Sequence, residues 1–189
     1  MSRSEFSRGT LICIENAEKW MKEAEILAEK GSYGHASALL IHGIEALAQA
    51  WICFTLARGS SSMDEKSVKD FFRKHDVKLD FFVANILIHD VGKEFLLNHF
   101  KKEDMVKFNI LPLINYFDSV KDMVDNKRKN YPKELMEKRN CGIYVDYDYE
   151  NEKFLSPQDI SKEEYLKLKN EADVFETMLS FLIGNPLVK

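Results

Sequence analysis

The amino-acid sequence predicts an all-α fold: a bundle of about five to seven amphipathic helices, with one short extended strap or hairpin near residues 143–155. Three observations carry this expectation. Only 8 Gly and 4 Pro punctuate 189 residues, which favours long elements over a sandwich of short strands. Apolar residues make up 45% of the chain, 13 Phe among them, so a sizeable core can form without staples. Apolar positions also recur at three-to-four spacing along most of the length, as they do when one helix face turns inward. The length fits a single domain, 1–189, with an ordered core over about 10–185.

The first helix reads over residues 10–30. Leu11, Ile14, Ala17, Met21, Ala24 and Ala28 mark its inner stripe, and Gly31 stops it as a C-terminal cap does. A second helix opens at Ser32 or Tyr33 and runs to about Arg58. Ala36, Leu40, Ile44, Leu47 and Trp51 lie on one side, and Ala38, Ile41 and Ala46 occupy the other. A cylinder apolar almost all round belongs at the centre of a bundle. Gly59-Ser60-Ser61-Ser62 ends it, and Asp64 caps a short helix through Phe72.

Phe81, Phe82, Ile86, Leu87, Phe95 and Leu96 place a further helix over residues 78–100, disturbed at Gly92. Another runs from Glu103 toward Lys129 and is expected to bend or break near Leu111, just before Pro112. Tyr131-Pro132 starts a short helix, with proline in a favoured first-turn position. Residues 143–155 alternate with period two, as a hairpin or strap does. After Ser156-Pro157, a capping box at Ser161 and Glu164 opens the last helix, which ends at Gly184-Asn185-Pro186.

Composition also bounds function. The net charge of −4 means the chain as a whole does not attract polyanions, so nucleic-acid contact requires a local basic patch. Cys13, Cys53 and Cys141 form neither a Cys-x-x-Cys pair nor a disulfide framework, which fits a reducing, cytoplasmic setting. The polar stretch from Met1 to Arg8 lacks the apolar core of a signal peptide. No uninterrupted run of about 18 apolar residues suggests a membrane span.

Three places carry candidate chemistry. At Arg139-Asn140-Cys141-Gly142-Ile143-Tyr144, an Arg supplies a fork of phosphate donors and Asn adds a neutral hydrogen-bonding group. In a straight helix Arg139 and Tyr144 diverge by about 140°, so they converge only if the helix ends near Gly142. An ordinary helix terminus reads the same way. Upstream, Lys127, Arg128, Lys129, Lys133 and Lys138 form a basic run with Tyr131 as a candidate stacking platform, or simply a solvated helix end.

The second place is a polar stripe on the apolar second helix: His42, Glu45 and Gln49. Buried polar groups need partners, so another helix or an interface has to supply them. A di-metal bundle uses facing Glu-x-x-His pairs; the order here is reversed and no second pair exists, so no metal and no cofactor are expected. His42 reads as a satisfied core histidine. The third place is Phe72-Arg73-Lys74-His75-Asp76-Val77-Lys78, where His75 and Lys78 are expected in a loop between helices. His75 can transfer protons near neutral pH, though on the residues alone a capping or surface cluster is the favoured explanation.

In chain order these segments resemble the AbiV-type abortive-infection proteins, a branch of the HEPN helical superfamily. Tyr33-Gly34-His35-Ala36 precedes Ile44-Glu45-Ala46-Leu47-Ala48-Gln49-Ala50, which is similar to that family's Glu-Glu-Ile-Gly-Lys-Ala segment. Phe72 to Lys78 is similar to its Phe-x-x-His-x-x-Lys segment. Arg139 with Gly142-Ile143-Tyr144-Val145-Asp146, then Ser156-Pro157, is similar to its Arg-x-x-x-Leu-Tyr-Val-Asp and downstream Ser-Pro.

Departures are Ala46 for the second Glu and Gln49 for the Lys. Tyr144 stands where many HEPN ribonucleases have His, and an ordinary Tyr, with a pKa near ~10, is a poorer base at neutral pH. The resemblance implies an all-α homodimer whose Arg motifs face each other, acting in phage defence by shutting down infected cells, with translation as the point of interference. On that reading Arg139, Asn140, Tyr144 and His75 act on a phosphodiester as in a metal-independent ribonuclease. Glu45, Lys78, Asp146, Arg128 and Lys138 bind RNA or support the cleft. The alternative is a non-catalytic dimerisation or interaction module switched by a phage protein.

Overall fold

The computed structural model describes residues 2–61, 63–99, 111–148 and 152–184. Among them are six α-helices and one antiparallel two-stranded hairpin. Helix α1 spans Arg3–Glu29, so it begins a full two turns before the apolar stripe does. Ser2 provides the reason: its hydroxyl accepts from the Glu5 amide at 3.3 Å, and Phe6 buries the new first turn. At the other end Gly31 takes φ +78°, and two backbone bonds close the turn: Ser32 N–H to the Leu27 carbonyl and Gly31 N–H to that of Ala28.

Helix α2 (Tyr33–Arg58) folds back along α1. The two approach closely because small residues line the seam. A Cβ on Gly43 would stand 2.8 Å from the Met21 side chain, and one on Gly9 would stand 3.0 Å from Cys53 Sγ. By length and composition alone α2 is apolar enough to cross a membrane. Its apolar window is 67% buried inside the fold, which makes it the central helix of the bundle. Leu40, Ile41, Ile44 and Leu47 are sealed from solvent.

Asp64 caps helix α3 (Glu65–Arg73), its carboxylate accepting from the Ser67 amide at 2.7 Å. Helix α4 (His75–His99) follows after Lys74 alone. His75 and Lys78 therefore lie in the first turn of a helix rather than in the expected loop. α4 passes through Gly92 without interruption, where an added Cβ would meet nothing.

Helix α5 (Leu111–Cys141) begins beside Pro112; the stretch predicted helical over residues 103–110 lies outside the described residues. Tyr131-Pro132 does not start a new helix, because Pro132 is interior to α5. A proline there deprives the Arg128 carbonyl of its helical donor, a cost of about 3 kcal/mol. Packing offsets it: Tyr131 and Leu135, on either side, are both buried.

Strands β1 (Asp146–Asp148) and β2 (Lys153–Leu155) form the predicted hairpin, pairing Asp146 with Leu155 and Asp148 with Lys153. Two capping boxes then act in sequence. Ser156 and Asp159 hold a 3-10 turn at Pro157–Asp159, and Ser161 and Glu164 open helix α6 (Lys162–Gly184). Phe175 of α6 completes the core, edge-on to Phe82 at 5.2 Å and stacked on Trp51 at 5.3 Å.

Candidate functional site at Glu45

Glu45 sits on the central helix with 4% of its surface exposed. An isolated carboxylate at that depth costs several kcal/mol unless it is paired and hydrogen-bonded. Two other helices supply the partners. Helix α4 brings His75 and Lys78, three residues apart and so on one face of its first turn. Helix α5 brings Arg139 from its last turn. His75 donates Nδ1–H to Glu45 Oε2 at 2.6 Å, and Lys78 Nζ lies 3.3 Å from the same oxygen. Arg139 Nη1 donates to Oε1 at 3.2 Å. Gln49, one turn further along α2, donates from Nε2 to the Phe72 carbonyl at 3.5 Å. Glu45 and Gln49 of the polar stripe on α2 thus find their partners inside the same chain.

The local geometry has causes in sequence. Arg139 reaches Glu45 because the end of α5 presses against the start of α2. A Cβ on Gly142 would stand 2.5 Å from the Gly34 carbonyl oxygen and 2.9 Å from the Ala38 Cβ. Gly142 is required here for close approach, and its φ is not positive. Gly34 in turn abuts the backbone of Pro157. The Ser-Pro segment, α2 and the end of α5 are therefore packed through two side-chain-free positions.

Charge and exposure divide the roles. One carboxylate faces two permanent cations, leaving a local positive excess even with His75 neutral. The Lys78 side chain is 5% exposed, so it balances Glu45 rather than reaching a ligand directly. Arg139, at 15%, and His75, at 43%, form the solvent-facing side. With Nδ1 committed to the carboxylate, the His75 ring leaves Nε2 for a ligand or proton. His42, one turn before Glu45, has its pKa lowered by burial and by the positive groups of Arg139, His75 and Lys78, with Glu45 opposing.

The remaining candidates fall at varied distances from this cluster. Asn140 adjoins it, its Oδ1 accepting from Arg139 Nη2 at 3.4 Å. Tyr144 does not join it: the residue is 66% exposed, and its hydroxyl has no hydrogen-bond partner among the described residues. Its backbone N–H closes a turn on the Asn140 carbonyl at 2.9 Å. Asp146 lies in β1, and its side chain is outside the described ones. Lys138 points to α6, where its 2.8 Å contact with Glu164 helps hold that carboxyl down to about 2. Arg128 is about three turns from Arg139 along α5 and faces Asp80 at 3.4 Å.

The basic run is not a stacking surface. Tyr131 is 8% exposed and donates its hydroxyl to Glu171 at 2.6 Å, with Lys127 and Lys167 at 5.5 and 5.6 Å from its ring centroid. Burial, and then the Glu171 charge, push the Tyr131 phenol far up. Among the described residues no group of three or more His, Cys, Asp or Glu side chains is placed to hold a metal ion.

Sequence reasoning missed two features of the site: the burial of Lys78 and the place of His42 beside the cationic cluster. The i, i+3 relation of His42 to Glu45 was the available signal for the second. No curated protein matches the chain, and no solved structure does. The model of the HEPN_AbiV family, described as AbiV, matches residues 5–173. The chain therefore belongs to the AbiV family of HEPN proteins, and with it to the abortive-infection, HEPN type of function.

Proposed function

We propose that this protein acts in the cytoplasm as a homodimeric phage-defence factor that engages RNA phosphates at the Glu45 cluster and so shuts down infected cells. The observation that carries the reading is one buried carboxylate holding Arg139, Lys78 and His75 from two other helices, with Arg139 and His75 turned to solvent. Pairing accounts for cations around Glu45; that two of the three partners keep solvent exposure is what suits a phosphodiester ligand. Arg139 offers donors to the non-bridging oxygens, and their strength grows as charge accumulates on a pentacoordinate phosphorus. His75 supplies a proton-transfer atom at neutral pH without a metal.

In this reading RNA cleavage is carried by Arg139 and His75, and Tyr144 contributes at most an exposed contact surface. The test is tightly induced expression of wild type and Arg139→Ala, with total RNA integrity and protein synthesis followed over time. RNA fragments in wild type alone support the ribonuclease reading. Arrested synthesis with intact RNA assigns the site to binding, with the translation machinery as its target. Equal behaviour of both chains under phage infection overturns the role of Arg139.

A second reading draws on a different observation. Ile143, Tyr144, Val145 and Phe154 are 41, 66, 66 and 71% exposed, an apolar patch on the turn and hairpin beside the end of α5. Such a patch suits protein contact, with a second copy or with a phage protein that switches the dimer. Loss of partner capture in Tyr144→Asp with the Arg139→Ala phenotype unchanged favours this module over the RNA site.

A further inference from the structure

The seam between α1 and α2 brings together two cysteines that the sequence keeps in separate helices. Side-chain contacts fix the antiparallel register of that seam. Gly43 meets Met21 near the turn, Gly9 meets Cys53 further along, and Gly59 meets Arg3 at the far end. A Cβ on Gly9 would stand 3.0 Å from the Cys53 sulfur and 3.8 Å from its Cβ. Cys13 lies one turn after Gly9 on the same face of α1. Ala17, a further turn on, faces α2 again, its carbonyl oxygen 3.5 Å from where a Gly43 Cβ would stand.

Cys53 therefore packs between the Gly9 and Cys13 turns, and its thiol is directed to the Cys13 sulfur as a hydrogen-bond donor. Small residues on the seam let the two backbones approach closely. An inter-helix disulfide needs that approach, since it joins Cβ atoms roughly 3.5–4.5 Å apart.

The two sulfurs have different surroundings. Cys53 is 3% exposed, whereas Cys13 is only partly buried. The bond from Cys53 lowers the Cys13 pKa, burial opposes it, and the Lys78 charge adds to the lowering. That same bond, together with burial, pushes the Cys53 thiol far up. One sulfur is thus an accessible thiolate and its neighbour a protonated thiol held beneath it.

We propose that Cys13 and Cys53 form a reversible disulfide across the α1–α2 seam when hydrogen peroxide reaches the protein. The Cys13 thiolate attacks one peroxide oxygen and the O–O bond breaks, leaving a sulfenic acid on Cys13 and hydroxide in solution. The Cys53 sulfur then attacks the sulfenic sulfur. Hydroxide leaves from Cys13 and takes the Cys53 proton, departing as water. The peroxide gains two electrons and the cysteine pair loses them. Two small thiols restore the pair by exchange, leaving as their own disulfide. The bond closes a loop of about 40 residues and fixes α2 just over two turns from Glu45. It does not depend on RNA binding.

The test uses full-length wild type and Cys141→Ser, each reduced and then treated with hydrogen peroxide under native conditions. Trypsin without reductant should release residues 9–19 joined to residues 31–58. The joined pair should be lighter than the two peptides by two hydrogens, and dithiothreitol should part it. Thermal melting should rise by roughly 5–10 °C on oxidation and fall back on reduction. Cys53→Ala removes the second sulfur, so the Cys13 sulfenic acid should persist and be captured by dimedone. Cys13→Ser should leave Cys53 unmodified at the same peroxide dose.

The joined peptide is sought with both cysteines in place, so poor folding of either variant leaves the test intact. A mass unchanged by peroxide overturns the proposal. So does Cys13 passing to sulfinic acid with Cys53 unlinked, or a link that forms only in urea or joins two chains.

Discussion

Glu45 holds its place only because cations come with it. Glu45→Gln removes the negative charge while leaving Lys78 buried and Arg139 in its pocket, so the loss should be about 3–5 kcal/mol. Urea unfolding measures it directly; a variant as stable as wild type rules out a buried ion cluster. Pairing Glu45→Leu with Lys78→Met should recover most of that loss, since an apolar pair has no charge left to desolvate. The Tyr131–Glu171 bond gives a second residue-level prediction. Desolvation raises the Glu171 pKa, and the Tyr131 hydroxyl opposes that by bonding the charged form.

Tyr131→Phe should therefore cost about 1.5–3 kcal/mol where Glu171 is ionised. It also pushes the Glu171 carboxyl further up. The cost is full above that group's folded pKa and shrinks as pH falls through it, because a neutral carboxyl needs the donor less. Denaturation of both chains at neutral and acid pH checks the sign; a cost that grows toward acid pH contradicts it. At this scale the sequence was informative about identity and poor about environment. Glu45, His75, Lys78 and Arg139 were all legible as candidates. Their convergence depended on contacts between helices, which no local period encodes, nor did any local period show that Lys78 is buried.

Among the elements, α1 and α5 differed most from expectation. The start of α1 was present as Ser2 and Glu5, at capping-box spacing, but Phe6 is the lone large apolar residue between Ser2 and Thr10, so periodicity did not register. In α5 the rule that proline opens helices competed with tertiary packing, and packing won because Tyr131 and Leu135 are buried on either side of Pro132. Helix α2 was legible end to end, its caps and its all-round apolar surface both being local properties. One prediction belongs here. Gly142→Ala forces apart the Gly34 carbonyl and the end of α5, and should destabilise by about 1–3 kcal/mol. Because Arg139 lies three residues upstream, the proposed RNA binding should weaken beyond what the stability loss explains. A thermal melt and a binding isotherm on the same sample separate the two effects.

For the whole molecule, the exposed apolar patch at Ile143, Tyr144, Val145 and Phe154 bears on assembly. If it is the dimer face, Val145→Asp should shift the protein toward monomer in sedimentation at micromolar concentration while leaving its circular dichroism unchanged. A monomer–dimer balance that does not move places the interface elsewhere.

The bond between Glu45 and Arg139 spans 94 positions of sequence. Closing a loop of that length carries an entropic cost of roughly 4 kcal/mol, so α1 and α2, joined by a three-residue turn, should pair long before α5 docks. During synthesis on the ribosome the central helix thus emerges with its carboxylate unmatched, and the cationic face does not exist until more than two-thirds of the chain has been made. Growing, truncated and prematurely released forms of the chain therefore lack the Arg139 side of the cluster.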